Sequence, residues 1–452
     1  MTVRHRLLAS LSIVACGWAY GGGVLAQALA PPPAEAAGGE DGAFAVHGQA
    51  TFTDQYHPGF TSPYAGGNSL NPGQRSAETA DVTLYAGVRP WRGAEFWVEP
   101  EIDQGFGLSN TLGVDAFTSG EAYKVGDSTP YFKLPRAFLR QTIELGGDSQ
   151  KVDSDLSTFA GETTADRLVL TIGKFGVPDV FDTNKYAHDP RNDFLNWAVI
   201  DTGAFDYAAN AWGFTYGAAL EWYQGDWTLR GGLFDLSTTP NSTHLDNRFS
   251  QYQIDAEIER RYRLFGQDGA VRLTGFNSDG RMGRYADAVA LAQATGQPAN
   301  IALVRHFRAR AGLSVNIEQA ISDDLGVFAR AGHSDPQYEG FEFTDMDNTA
   351  AAGLSLKGSA WKRKDDTFGL AVEVGEASHD AYAYFNAGGL GILAGDGMLP
   401  HPGPETVVET YYSLAAFKYG HVTLDYQFVD NPAFNRDRGP VSVLGLRLHV
   451  QV

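Results

Sequence analysis

From Phe44 to the end, the chain alternates apolar and polar residues with a period of two, in one strand-length segment after another. Phe44, Val46, Ala50 and Phe52 alternate with His47, Gln49, Thr51 and Thr53. Val82, Leu84, Ala86 and Val88 oppose Asp81, Thr83, Tyr85 and Arg89, and Phe96, Val98 and Ile102 oppose Trp97, Glu99, Glu101 and Asp103. Ile254, Ala256 and Ile258 alternate with Gln253, Asp255, Glu257 and Glu259, and Leu444, Leu446, Leu448 and Val450 with Arg447, His449 and Gln451. Successive strand side chains point to opposite faces, so each segment carries one apolar and one strongly polar face. A soluble sandwich shows the same alternation, and single strands do not separate the two architectures.

The connections do. Strands begin near 44, 79, 93, 130, 166, 210, 226, 251, 269, 303, 324, 349, 367, 405, 421 and 440, about sixteen in all. Connections after even strands are tight, as in Pro90-Trp91-Arg92-Gly93, Gln224-Gly225-Asp226 and Gln267-Asp268-Gly269. Those after odd strands are long, as in 57–78, 106–129, 176–209, 279–302 and 377–404. Short turns on one rim and long loops on the other are the arrangement of a bacterial transmembrane antiparallel β-barrel, with short periplasmic turns and long extracellular loops. The segment 145–165 breaks the rule, being long where a turn is expected. Tyr285 to Thr295 has the composition of a short helix on one of the long loops.

The N-terminus places the chain outside the cytoplasm. Arg4, His5 and Arg6 precede an apolar run from Leu7 to Ala15, and Ala26-Gln27-Ala28 and Ala28-Leu29-Ala30 offer cleavage sites, so 1–30 reads as a signal peptide. Residues 31–43, rich in Pro, Ala and Gly, read as a flexible periplasmic leader, and 44–452 as the barrel. Ile13-Val14-Ala15-Cys16 also resembles a lipoprotein site, an alternative that would lipidate the only cysteine. No stretch is apolar and long enough for a spanning helix. The formal charge of −20 argues against nucleic acid or anionic lipid surfaces as partners, and a cation-tolerant pore or acidic external loops accommodate it.

Two runs carry a resemblance. One is Gly173-Lys174-Phe175-Gly176 through Phe181-Asp182 and Asp193-Phe194-Leu195-Asn196 to Trp212-Gly213. The other is Glu409-Thr410-Tyr411-Tyr412, Leu424-Asp425-Tyr426-Gln427, Asn431-Pro432, Arg438-Gly439-Pro440-Val441 and Leu446-Arg447-Leu448-His449. Together they resemble the OprB-type carbohydrate-selective porins, over 165–452 by residue and over 44–145 by strand pattern. The resemblance implies a monomeric sixteen-stranded barrel in the bacterial outer membrane, with inward-folded loops and passive uptake of small, glucose-like sugars. It implies outer-membrane lipid and the barrel-assembly machinery as partners. The sugar itself is left open, because the family's preference varies. One departure is Val452, where such barrels commonly end in an aromatic residue, so assembly is expected to use an internal signal.

A diffusion channel performs no bond chemistry, and no cofactor or metal is expected. What it needs is a polar lumen with apolar ring faces for sugars to slide on. Register nominates Glu99, Glu101 and Asp103 as an acidic ladder and Arg136 and Arg140 as a basic one. Arg308 and Arg310 lie on another strand, and Asp425 and Gln427 lie beside Arg447. The loop 176–209, longer than a turn requires, supplies Asp182, Asn184, Lys185, Asp193, Asn196 and Trp197 as constriction candidates, in a polar run that also holds His188, Asp189, Arg191, Asn192 and Asp201. The bland reading of the ladders is salt-bridged filler, and of the loop a solvated surface segment. Trp91, Trp212, Trp222, Trp227, Tyr411 and Tyr412 suit interfacial girdles, with Trp212 and Trp222 on one strand face. Two other functions fit less of the pattern. A general or cation-leaning porin would explain the charge, and an exported all-β glycosidase would need a carboxylate pair such as Glu99 and Glu101. No nucleophile elbow, zinc-protease or phosphate-loop motif is present.

Overall fold

In a computed structural model describing residues 42–452, sixteen antiparallel strands follow one another around a closed barrel. They are β1 (Phe44–His57), β2 (Arg75–Val88), β3 (Ala94–Gly105), β4 (Asp127–Val152), β5 (Gly161–Phe175), β6 (Thr215–Gln224), β7 (Trp227–Asp235) and β8 (Tyr252–Leu264). The second half is β9 (Gln267–Met282), β10 (His306–Ala320), β11 (Leu325–Ser334), β12 (Asn348–Gly358), β13 (Arg363–Glu376), β14 (Glu405–Phe417), β15 (Gly420–Asp430) and β16 (Val441–Gln451). β1 pairs with β16 from Gln49↔Gln451 to Tyr56↔Leu444, so first and last strands meet and no edge is left unpaired. Val452 extends this seam by exchanging backbone hydrogen bonds with Gly48, both 2.9 Å. The expected signal peptide and nearly all of the leader lie outside the described residues.

The alternation of the sequence is inverted relative to a soluble protein. Ile254 is 50% exposed while its neighbours Gln253 and Asp255 are fully buried. Val82, Leu84, Phe96, Ile102, Leu220, Leu229, Leu313, Val372, Leu424 and Leu444 likewise face outward. Thr83, Glu99, Glu101, Glu257, Asn316, Glu373 and Arg447 face in. A continuous apolar exterior is stable only against hydrocarbon, and the closed ladder satisfies every strand where water is absent. Among the described residues no helix is long and apolar enough to cross a membrane, and the strands make the crossing. Trp91, Trp222, Trp227, Trp361 and Tyr419 lie outward near the tight turns and form an aromatic girdle at that rim.

Three sequence expectations change. Trp212 is not on a strand: Gly213 has φ +93° and β6 begins only at Thr215, so the indole stays inside and cannot belong to a girdle with Trp222. Tyr411 is buried on the inner face, because β14 places Tyr412, not Tyr411, outward beside Trp361. The long segment 145–165 is mostly strand, since β4 and β5 run on past their neighbours and leave only 153–160 as a connection. The helix over Tyr285–Thr295 is present.

Candidate functional site

The loop after β5, now 176–214, enters the barrel and lies against one wall. Its course is dictated by inward side chains that satisfy its backbone. At the entry, Asp182 donates its N–H to Glu257 (2.8 Å), and its carboxylate accepts from Thr202 N (2.8 Å) and Asn316 Nδ2 (2.7 Å). Asn184 donates to Asn316 Oδ1 (2.7 Å) and Lys185 N to Glu318 (2.8 Å). Arg330 on β11, fully buried, donates to the carbonyls of Val199 (2.6 Å) and Ala187 (2.7 Å). Arg447 on β16 donates to those of Pro190 and Asp193. Glu409 on β14 accepts from Leu195 N (2.5 Å) and Asn196 N (3.1 Å). The contact is close enough that a Cβ at Gly326 would overlap the Tyr186 ring. An irregular segment carries backbone donors and acceptors that must find partners once buried, and β8 and β10–β16 supply most of them.

The sequence candidates therefore divide. Asp182, Asn184 and Asn196 on the loop, with Arg310, Gln427 and Arg447 on strands, are buried loop anchors, and Asp425 is buried beside Gln427. Arg310 pairs with Asp206 (2.8 Å) and Asp347 (3.1 Å) from two different loops. Asn196 caps the short helix Trp197–Ile200 through Ala198 N and donates to Ala116 O (2.7 Å) and Gln427 Oε1 (3.2 Å). Asp425 accepts from Gln427 Nε2 (3.1 Å). Arg308 pairs with Asp287 of the 285–295 helix (3.0 Å). Lys185 and Asp193 border a cavity of about 470 Å³ between the loop and the turns at 267–268 and 322–326.

Glu99, Arg136, Arg140 and Trp197 line a different cavity, of about 460 Å³, on the opposite side of the loop against β2–β5. Arg136 is held bidentately by Asp179 (both 2.7 Å) and lies 3.4 Å from Glu99. Arg140 lies 3.5 Å from Glu95. Asp103 pairs with Lys133 (3.3 Å) behind this wall, and Glu101 with Arg191 (3.3 Å). Arg191 comes from the loop and also meets Asp81 and Glu121 (both 3.3 Å), so one guanidinium ties the loop to β2, β3 and the 106–126 loop. Trp197 stacks between Phe117 (5.3 Å) and Phe343 (5.2 Å), with Tyr207 alongside. Lys124 reaches the same cavity, 4.7 Å over the Phe343 ring, and its ammonium lacks a hydrogen-bond partner. Burial lowers that amine to about 8 despite Glu342 and Asp206.

On the loop, burial and the neighbouring Asp189 raise Asp193 to about 6, and burial and Asp182 raise Asp201 to about 7. Burial also raises Asp189, but Arg191 and hydrogen bonds from Arg191 N and Asn192 outweigh it and hold that carboxyl below its ordinary value.

Glu121 and Lys124 are not among the residues that sequence nominates, and Arg191 is there only one of the many polar residues of the 176–209 loop. The signal available was their clustering with Tyr123 and Trp197 in two loops too long for turns. Across β6–β10 the inward charges form an ionic lattice. Arg230 meets Glu221, Glu257 and Glu259 (2.6–3.1 Å), and Arg272 meets Glu259 and Glu318. There the inward charges are paired with one another.

The model of the OprB family of carbohydrate-selective porins matches residues 67–452. The high-pH structure of Pseudomonas putida OprB superposes with a TM-score of 0.67 at 16% identity, covering 91% of this chain and 94% of that one. The outer-membrane channel DcaP of Acinetobacter baumannii aligns with a TM-score of 0.50 at 10% identity, covering 90% and 97%. No curated protein matches the sequence.

Proposed function

We propose, for a chain that belongs to the OprB family of carbohydrate-selective porins, that sugars cross the barrel through the cavity on the β2–β5 side of the inward loop. The chain is a non-enzymatic, sugar-selective channel of the bacterial outer membrane. The observation that carries the assignment of a path is the composition of that cavity's wall. Arg136, Arg140 and Arg191 are each paired with fixed carboxylates, and Lys124 is a cation without a hydrogen-bond partner. Trp197, Phe117, Tyr207 and Phe343 supply ring faces beside them.

A sugar hydroxyl both donates and accepts, so opposed guanidinium and carboxylate groups can serve it without net attraction for either ion. The aromatic rings favour the apolar face of a pyranose. Pairing also keeps each arginine from binding an anion tightly, and weak binding allows release. Trp197 is itself mostly covered by its neighbours, so its part is to fix the aromatic wall as well as to offer an edge.

The same reading takes the barrel as a monomer inserted by the barrel-assembly machinery. Its support is the apolar exterior on strands all around the closed barrel. Liposome swelling with purified protein tests the sugar path. Glucose should enter faster than amino acids of similar size, and Lys124→Met should reduce the glucose rate. Equal rates for sugars, amino acids and small ions would replace sugar selectivity with general diffusion.

A further inference from the structure

The β4–β5 connection is the one turn-rim connection among the described residues that is not a tight turn. Both strands outrun their neighbours, and their register slips at Glu144/Gly146 and Gly146/Ser149, where Gly146 and Gly147 have φ of +119° and +84°. The hairpin does not simply end in open space. Phe159 at its tip is buried, 4.9 Å from the inner-face Trp97 ring, with the Arg89 guanidinium 4.6 Å over its own ring. Arg89 Nη2 donates to Ala160 O (2.9 Å), Arg140 Nη1 to Ser157 O (3.0 Å), and Gln451 Nε2 to Asp155 Oδ1 (3.2 Å).

A connection needed only to join two strands has no reason to bury an aromatic ring and recruit side chains from β3, β4, β16 and the residue that follows β2. These attachments set Asp155, Leu156, Ser157 and Thr158 into the wall of the 460 Å³ cavity. They share it with Arg140, Glu99, Gln49 and Tyr85. The tip thus contributes a carboxylate, two hydroxyls and an apolar side chain, the mixture that a sugar's polar rim and apolar face call for.

We propose that this tip is a second specificity determinant for sugar passage, a fixed sill at the turn-rim end of the cavity that admits single sugars and hinders longer ones. The proposal rests on the reading that sugars cross this cavity. Segment 153–160 is replaced by an Asn-Gly turn, and liposome swelling is measured with glucose and with maltotriose. The maltotriose-to-glucose rate ratio should rise about five-fold, as expected when a constriction is widened. Ser157→Cys, treated with a charged methanethiosulfonate, should slow glucose by about two-fold or more, because the label narrows the same passage; unsubstituted protein treated alike controls for Cys16.

An unchanged ratio with an inert label at Cys-substituted Ser157 overturns the sill. The same label on Arg140→Cys then separates the two ideas: if it slows glucose, the cavity remains the path and only the sill fails; if it does not, the path fails with it. Where the ratio and the Ser157 label disagree, the ratio decides. Should the shortened chain show no heat-modifiable band, the Ser157 label decides alone.

Discussion

The two sides of the inward loop use the same residue type for opposite ends. On the β10–β16 side, Arg310, Arg330 and Arg447 are fully buried and spend their donors on loop carbonyls and loop carboxylates. On the β2–β5 side, Arg136 and Arg140 remain partly exposed and border open space. All five sit on inward positions of strands, and nothing in their local sequence tells them apart. What differs is how completely a loop covers them. An arginine buried under the loop becomes a clamp, and one that meets a loop residue yet still faces a cavity, as Arg136 meets Asp179 and Arg140 meets Ser157 O, becomes lining. The interior is thereby divided into a wall that carries the loop and a wall that faces the cavity.

The comparison breaks most visibly at the clamps. Arg330→Ala strands the carbonyls of Val199 and Ala187 and the buried Asp182 carboxylate, and should cost about 3–5 kcal/mol, the range for breaking a buried pair by removing one partner. Urea titration of the folded band on a detergent gel measures it, and a cost below about 1 kcal/mol would place Arg330 among ordinary surface residues. The same variant should widen the channel, because the loop loses its seat.

A smaller effect is expected on the lining side. Arg140→Gln removes a partly exposed pair with Glu95 and should change stability by no more than about 1 kcal/mol. Its larger consequence is electrical. With one cation fewer beside Glu95 and Glu99, reversal potentials in a salt gradient should move toward cation preference. A large loss of stability with unchanged ion preference would show that Arg140 is a clamp as well.

The smallest effect is that of pH on the loop. Asp193 and Asp201 sit above the ordinary carboxylate value, near 6 and 7. The folded loop therefore binds protons that the unfolded chain has released, and its packing strengthens as pH falls through those values and weakens as pH rises. Asp189 works in the other direction but titrates below its ordinary value, outside this window, while His188, held below the ordinary imidazole value by burial and Arg330, opposes the two carboxyls within it. Hydrogen exchange over 176–214, corrected for intrinsic rates, should show more protection at about pH 5.5 than at about pH 7.5. Greater protection at the higher value would mean that Arg330 and Arg447 govern these carboxylates more than burial does.

Much of this architecture is legible in the residues. The period of two and the alternation of short and long connections yield the strand count, the strand order and the long inward loop, because both are local properties. The division between clamp and lining is not local. Arg310 meets Asp206, and Arg447 meets Pro190 and Asp193, across more than a hundred residues of chain. Register shows that these arginines point inward without showing what meets them there. Trp212 was misplaced for a related reason, since a glycine at positive φ ends the extended run that its spacing from Trp222 suggested. The tip at 153–160 was visible only as an exception to the turn rule.

The central claim, that sugar passes on the β2–β5 side of the loop, is tested most directly by labelling each side in turn. Arg140→Cys lies on the cavity proposed as the path, and Lys357→Cys on the other one. After reaction with one bulky methanethiosulfonate, the Arg140→Cys protein should take up glucose several-fold more slowly in liposome swelling, and the Lys357→Cys protein should be unaffected. Slowing at Lys357→Cys with none at Arg140→Cys would contradict the account and move the path to the other side of the loop.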